Sequence, residues 1–462
     1  MIFYRYFQVS NLVSKHFQVC SLERKVCMYK KSAFNVVNKD VRRILIFNTK
    51  TKRYLKSMKD IEEISDLIEY PNKYPDHPLI PFLKDAGVIV NQACDEMQHI
   101  GAWRNEYIYS PKLELCILPT EQCNLRCPYC YEDFKHGTMS QETQDALINW
   151  LRKNLRNYTE LSVSWFGGEP LLAKDVIASL SQRMLDLCHQ ARKPFSASIT
   201  TNGTLLDLDT FAMLQKYRIT GIQVTLDGPK ETHDKVKGIG SYDKVISNLL
   251  AIRDKVKSSH SIYISVRTNV TKDTLSTMDK YLDELAELFA NDCKFGFYFR
   301  PVGNWKMDEH FSLSSSLLDS LFELYNPIIE HRAPLNYNAY CNLLENQICA
   351  AAKRNQYVIR ADGTVCKCTM LLDDERNHIG KLSKSGEMKL DEDRLQEWVN
   401  SFKEVEKCGG CSFAPSCMSI MCPAKKFTSP EKPRCGYEPG SITYIMELLD
   451  QCDVFEIIPP WR

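Results

Sequence analysis

The chain has 462 residues, 44% of them apolar and 25% charged, an ordinary globular balance with room for about three domains. Its 59 basic and 58 acidic residues leave a net charge of +1, which excludes a broad electrostatic footprint for nucleic acid or a membrane surface. No apolar run approaches the roughly 18 residues of a membrane span, so no nucleic acid and no membrane is expected as a partner.

Met1 to Val26 is aromatic and basic, and Arg5 and Lys15 interrupt any apolar core, so it does not make a signal peptide. Met28 is the expected functional start, with residues 1–35 forming an N-terminal extension. Two short strands follow, Ile44 to Phe47 and Arg53 to Leu55, across the turn Asn48 to Thr51. Ser57, with Asp60 three residues on, is expected to cap a helix carrying Ile61, Ile64, Leu67 and Ile68 on one face. Beyond the proline-bounded linker from Pro71 to Pro78 come a short helix from Leu79 to Lys84 and a strand from Val88 to Val90. These elements predict a small α+β unit over residues 36–105.

From Leu113 the pattern becomes strand, turn, helix, repeated six times. Strands are predicted at 113–118, 162–166, 196–200, 221–226, 262–269 and 294–301, and helices at 143–155, 176–187, 208–217, 245–256 and 275–289. Such alternation argues for an α/β fold with a parallel sheet and helical crossovers. Six units make a partial (β/α)6 TIM-like barrel over residues 110–330, with functional groups expected at the strands' C-terminal ends. Four segments fall there: Gly167-Gly168-Glu169-Pro170, Thr200 to Thr204, Thr225 to Pro229, and Ser265 to Val270. The glycine pair lets backbone pass close to a ligand, and the carbonyls or carboxylate beside it accept hydrogen bonds from an ammonium group. Taken singly, each segment is also ordinary turn chemistry.

Nineteen cysteines concentrate in two zones, 116–130 and 341–435, which suits metal ligation in a reducing cytoplasm better than a disulfide scaffold. Cys123, Cys127 and Cys130 follow the first barrel strand with the spacing Cys-x3-Cys-x2-Cys. An iron-sulfur cube normally takes four thiolates, so three local ligands leave one iron open for chemistry. A structural zinc completed by a remote fourth ligand is the alternative, but it favours two separated Cys-x2-Cys pairs. In the second zone Cys349, Gly363 and Cys368 precede Cys408, Cys411, Cys417, Cys422 and Cys435. A hairpin turn at Asp362 to Val365 brings Cys366 and Cys368 toward Cys349. Two four-thiolate clusters or a double-zinc module both suit these cysteines. The remaining cysteines stand alone, as small buried hydrophobes.

The three close cysteines, with Tyr129 before the last and Tyr131-Glu132 after it, resemble the signature of radical S-adenosylmethionine enzymes. That resemblance implies a [4Fe-4S] cluster on Cys123, Cys127 and Cys130 whose open iron is chelated by S-adenosyl-L-methionine, and a 5'-deoxyadenosyl radical that abstracts hydrogen from substrate. By the same resemblance Tyr129, Gly167, Gly168, Glu169, Asn202, Asp227 and Arg267 contact the cofactor: the Gly-Gly-Glu segment at the methionine amino group, Asn202 and Asp227 near the ribose or reaction centre, Arg267 at the carboxylate. Lys237 stands where relatives commonly show arginine.

The second zone, residues 331–462, resembles the SPASM extension with its two auxiliary [4Fe-4S] clusters, giving three in all. This assigns Cys349, Cys368 and Cys422 to the first, with Cys341 as fourth ligand and Cys366 as its competitor, and Cys408, Cys411, Cys417 and Cys435 to the second. Four residues rather than three separate Cys417 from Cys422. The N-terminal unit resembles winged-helix-like peptide-recognition elements. Together these imply modification of a ribosomally made precursor peptide, as a thioether or carbon-carbon crosslink, with an external electron donor such as flavodoxin or ferredoxin. The competing readings are an anaerobic sulfatase-maturating enzyme that forms formylglycine and a non-catalytic iron-sulfur electron carrier or peptide-binding scaffold.

Overall fold

The computed structural model describes residues 28–256, 262–289, 292, 294–302, 336, 341, 344–345, 348–400, 408–420, 422–428, 439–451 and 454–461. The proposed extension before Met28, Cys435 and the lone cysteines 20, 27, 293 and 452 lie outside them. Among the described residues no helix is long and apolar enough to cross a membrane.

The N-terminal unit begins with β1 (Tyr29–Lys31), followed by the antiparallel meander β2 (Asn35–Lys39), β3 (Ile44–Asn48) and β4 (Arg53–Ser57). Next come helices α1 (Ile61–Glu69) and α2 (Ile80–Asp85), and β5 (Ile89–Asn91), which pairs antiparallel with β1. Strand β3 is buried along its whole length because it serves two cores. Ile44 and Ile46 pack with Ile64, Leu67 and Leu83, whereas Leu45 and Phe47 turn the other way into the main core. The period of two along a strand makes this division automatic. The unit is therefore seated on the rest of the chain rather than standing apart.

One sequence expectation fails here. Ser57 is the last residue of β4, and Asp60 precedes α1 in a left-handed conformation (φ 49°) without a side-chain cap. The Ser57 hydroxyl instead bonds locally, donating to the Lys59 carbonyl at 2.9 Å. Helix α1 begins only at Ile61, four residues past Ser57, so Ser57 does not stand at the N-cap position.

After α3 (Ile100–Ile108) the chain enters the main sheet with β6 (Leu113–Ile117). The strands β7 (Leu161–Trp165), β8 (Phe195–Thr201), β9 (Ile219–Thr225), β10 (Tyr263–Val270) and β11 (Phe295–Pro301) follow in parallel, in the order β11-β10-β9-β8-β7-β6. The crossovers are helical: α4 (Gln141–Asn154), α5 (Lys174–Ala191), α6 (Leu208–Lys216), α7 (Lys230–Lys237), α8 (Ser241–Lys255), α9 (Lys272–Ser276) and α10 (Met278–Phe289). This is the parallel α/β sheet of a partial barrel. Leu113, Leu115 and Ile117, Leu161, Val163 and Trp165, and Ala197 and Ile199 are buried on one face of the sheet. The alternate positions carry small polar groups, with Ser162 accepting from Ser196 at 3.1 Å and Ser164 lying 3.2 Å from Ser198. A parallel sheet covered by apolar layers on both faces would read as continuous hydrophobic runs. The polar alternation instead gives this sheet an inner face fit to line a cavity.

The sheet continues past β6. Strand β12 (Gln356–Ile359) pairs in parallel with β6, and β13 (Thr364–Cys366), β14 (His378–Leu382) and β15 (Met388–Leu390) extend it antiparallel. The turn between β12 and β13 holds Gly363 at φ +82°, where the sequence places a hairpin. The cysteine-rich region thus shares a sheet with the barrel. Strand β16 (Glu456–Ile457) pairs in parallel with β4 and closes that edge of the N-terminal sheet.

Candidate active site

The loop from Leu118 to Ser140 leaves the C-terminal end of β6 and carries Cys123, Cys127 and Cys130, none of them in a disulfide. Gln122 anchors it. Its side-chain amide donates to the carbonyls of Phe134 (2.7 Å) and His136 (2.9 Å), and its own carbonyl accepts from Glu169 N–H at 2.9 Å. The glycine pair after β7 makes that approach feasible. A Cβ on Gly167 (φ +114°) would lie 2.3 Å from the Thr120 carbonyl oxygen, and one on Gly168 would lie 2.5 Å from the Gln122 oxygen. Both obstacles are backbone, which cannot swing aside. Gly168→Ala is accordingly expected to push the cysteine loop off the turn and cost about 1–3 kcal/mol of stability, the range of an overpacked contact. Denaturant unfolding beside wild type checks this.

The three thiols line one cavity of about 190 Å³ together with Tyr129, Gly167, Gly168, Asn202 and Arg267, and with Lys237. Asn202 ties the thiol loop to the end of β8, its amide donating to Asn124 Oδ1 (2.8 Å) and Cys123 Sγ (3.9 Å). Leu125 N–H also donates to Cys123 Sγ at 3.4 Å. Burial raises the thiols above their ordinary range, Cys130 to about 11. At Cys127 the Lys237 ammonium opposes that shift. Soft, unpaired thiols at strand ends, already receiving N–H donors and facing a lumen, fit an iron-sulfur cluster. Among the described residues no three His, Cys, Asp or Glu side chains gather closely enough for a single metal ion.

Two residues expected at the cofactor are turned elsewhere. Glu169 is fully buried, and its carboxylate accepts from Leu171 N–H (2.9 Å), the Thr201 hydroxyl (2.8 Å) and Asn202 N–H (2.7 Å). Burial raises its carboxyl, and these donors partly offset the shift. Of the two kinds of acceptor at that turn, the backbone of the glycine pair faces the cavity and the carboxylate braces the next strand end. Asp227, also buried, accepts from the Tyr129 hydroxyl and from Asn269 N–H (3.0 Å), and pairs with Lys237 Nζ at 3.5 Å. Burial alone would lower the Lys237 ammonium, but Asp227 and the neighbouring thiols raise it. Arg267 lines the cavity, with its Nε donating to Asn269 Oδ1 at 2.9 Å. Gln122 has no signal in a single sequence beyond its place next to the thiol motif, whereas Asn269 falls within the Ser265 to Val270 segment read at a strand end.

His233 supports Asp227 from behind, its Nδ1 accepting from Asp227 N–H at 3.1 Å while its buried Nε2 has no partner. Burial, with Lys237 nearby, pushes the imidazole down to about 4. The unfolded chain therefore takes up a proton below about pH 6.5 that the fold refuses. Stability is expected to be full above that pH and to fall by up to about 3 kcal/mol as pH drops to about 4. Denaturant titrations of wild type and His233→Phe across that range check the slope, which the variant should lack.

Beside the main cavity lies a second, of about 170 Å³, and Tyr131 and Glu132 belong to the walls of both. Its far wall is a buried ion pair between strand ends: Arg360, just past β12, donates to both carboxylate oxygens of Glu121, just past β6, at 2.9 and 2.7 Å. Glu132 is 8% exposed, and burial together with Glu121 pushes its carboxyl up to about 8.

In the second cysteine zone the thiols of Cys349, Cys368 and Cys422 fall within electrostatic range of one another. Cys366 is fully buried in β13, and Cys341 is buried beside Tyr54. Cys408, Cys411 and Cys417 sit on a tight turn and the helical turn Ala414–Cys417, where Cys411 N–H donates to the Cys408 carbonyl at 3.3 Å. Between Cys417 and Cys422 two consecutive residues are left-handed, Met418 (φ 51°) and Ser419 (φ 56°). Arg104 Nε holds that turn by donating to the Met418 carbonyl at 2.7 Å.

A parallel half-barrel that gathers three unpaired thiols and a glycine pair at its strand ends is the framework of a radical S-adenosylmethionine domain. Residues 117–282, from β6 into α10, match the model of the Radical SAM superfamily, and the chain carries such a domain. The domain implies S-adenosylmethionine and a [4Fe-4S] cluster. Among relatives, the Fe-coproporphyrin III synthase of Methanosarcina barkeri (strain Fusaro / DSM 804) is 28% identical over 204 residues, 43% of this chain and only about half (47%) of that protein. The cysteine-type anaerobic sulfatase-maturating enzyme of Clostridium novyi (strain NT) is 23% identical over 348 residues, 66% of this chain and 87% of that one. The solved structure of native anSMEcpe with bound AdoMet and Cp18Cys peptide shares the fold, with a TM-score of 0.55 at 20% identity over 74% of this chain and 99% of that one.

Proposed function

We propose that this protein is a radical S-adenosylmethionine enzyme that modifies a ribosomally made peptide, forming a thioether or carbon-carbon crosslink. The observation that carries the reading is the set of three half-buried thiols opening on one cavity beside the Gly167-Gly168 backbone. Cys123, Cys127 and Cys130 hold the cluster, the glycine backbone receives the methionine ammonium, and Arg267 receives its carboxylate. When bound, cluster and cofactor together supply a 5'-deoxyadenosyl radical by one-electron reduction. Tyr129 and Asn202 keep the thiol loop fixed to two strand ends while substrate enters, and Asp227 acts through Tyr129 and Asn269.

A crosslink removes two hydrogens from the peptide, one as an atom and one as a proton plus an electron. The second electron needs an acceptor, and the SPASM-type region offers one. Cys349, Cys368 and Cys422, with Cys341 as fourth ligand, form the first auxiliary site; their mutual proximity supports this, and Cys366, held in β13, is the weaker competitor. Cys408, Cys411, Cys417 and Cys435 form the second. The unit over residues 36–105 recognises the leader of the peptide. Its β4 edge is taken by β16, which among the described residues leaves β2 as the edge open to pairing. Flavodoxin or ferredoxin delivers the reducing electron in the cytoplasm.

Formylglycine formation on a sulfatase is the second reading, favoured by the relative whose length the chain covers to 87%. Anaerobic turnover of the reduced, reconstituted protein with a precursor encoded beside it, against a sulfatase-derived peptide, separates the two. A mass loss of two hydrogens in the precursor supports crosslinking. Conversion of the sulfatase cysteine or serine to an aldehyde sinks it, and absence of 5'-deoxyadenosine in either case sinks both enzymatic readings.

A further inference from the structure

The second cavity is deficient in positive charge. Five acidic side chains border it, Glu121, Glu132, Asp133, Asp373 and Asp374, against two basic ones, Arg360 and Lys135. Those cations are already engaged. Arg360 is spent on Glu121, on the Leu372 carbonyl (2.6 Å) and on Asp373 (3.3 Å), and Lys135 pairs with Asp373 at 3.2 Å from an exposed position. Asp374 is satisfied by Arg376 from outside the cavity. Glu132 is different: more than nine-tenths buried, it has a carboxyl oxygen, Oε2, with no hydrogen-bond partner.

A buried acceptor without a donor costs stability that folding alone does not return. A ligand that brings a donor into the cavity supplies the missing partner. The cavity of about 170 Å³ has room for about five or six non-hydrogen atoms, the size of one long side chain. Its shared wall, Tyr131 and Glu132, follows directly on Cys130, so whatever enters is held at a fixed offset from the thiols.

We propose that this second cavity receives a cationic lysine side chain of the peptide substrate, whose ammonium meets Glu132 and thereby sets which neighbouring residue enters the radical cavity. The inference rests on the peptide-modifying reading above and names part of its substrate. Glu132 is a specificity determinant in this scheme, with Asp373 at the mouth in support.

The test uses the full chain, anaerobically reconstituted and supplied with S-adenosylmethionine. Equilibrium dialysis compares N-acetyl-lysine methylamide with its neutral isostere N-acetyl-norleucine methylamide. Wild type is expected to hold the lysine probe at least about tenfold more tightly. Glu132→Gln should reduce that ratio to below about twofold, and Asp373→Asn should reduce it by a smaller factor. Equal binding of the two probes by wild type, or an undiminished ratio in Glu132→Gln, overturns the proposal. Release of 5'-deoxyadenosine by the same wild-type preparation on reduction reads the underlying function separately. Nucleoside formed without a lysine preference sinks the cationic pocket alone. No nucleoside from cluster-loaded protein sinks the radical reading itself.

Discussion

Cys127→Ala is expected to abolish 5'-deoxyadenosine formation while leaving the distal iron in place. Cys127 is the middle thiol of the trio, on a loop that Gln122 and the glycine pair hold against β7. The loss is not one of affinity alone. With two local thiols the cluster has no defined open iron, so the cofactor has nothing to complete. The expected change is a loss of about four irons per chain, with the iron held at the second cysteine zone retained. That retention follows from position. Cys349 and Cys368 flank the β12-β13 hairpin and Cys422 lies beyond Met418, and none of them bonds to the Cys123 to Cys130 loop. Iron and sulfide analysis beside nucleoside yield measures both halves. Residual cleavage above background would mean that the cluster sits elsewhere.

The barrel was legible because each strand alternates and each crossover repeats. Leu113, Leu115 and Ile117 announce β6 by themselves, and the alternate serines of β7 and β8 already tell that the inner face is polar. The single helix expected over 275–289 is two, α9 and α10, broken at Thr277. Apolar spacing cannot register that break, because Leu275 packs against the main core like the residues after it. Strand β12 was not legible. It has four residues and no alternation, all of them buried, and it becomes a strand only by finding the β6 edge some 240 positions earlier in the chain.

The site divides in the same way. Thiol spacing and the glycine pair are local patterns. The Asp227 network draws on Tyr129 and on Asn269, 98 and 42 positions away, and the Glu121 to Arg360 pair closes over 239. Tyr129 and Asn269 each fall in a local motif, but no motif marks which residues pair across the fold. Glu169 shows the opposite error: a motif placed the residue correctly in the chain but left open whether backbone or carboxylate faces the ligand. The fold decides, since three donors from the turn right after Glu169 and from the end of β8 claim the carboxylate first.

Lys237→Met carries the other large effect, on stability rather than chemistry. The side chains of Lys237 and Asp227 are 4% and 1% exposed, so neither charge is screened by solvent. Removing the ammonium leaves a buried carboxylate whose remaining donors, the Tyr129 hydroxyl and Asn269 N–H, are neutral. The expected cost is about 3 kcal/mol, the lower end of what breaking a buried pair causes, because those donors remain. Asp227→Asn alone strands the ammonium and should cost a similar amount. The double variant removes both charges, so it is expected to recover at least about half of the summed loss. Anaerobic denaturant unfolding of the four proteins measures the cycle, and strictly additive losses would show that the two groups do not compensate each other. Because Tyr129 lies between Cys127 and Cys130, the stranded carboxylate also disturbs the thiol loop, and iron uptake should fall in Lys237→Met and recover in the double variant.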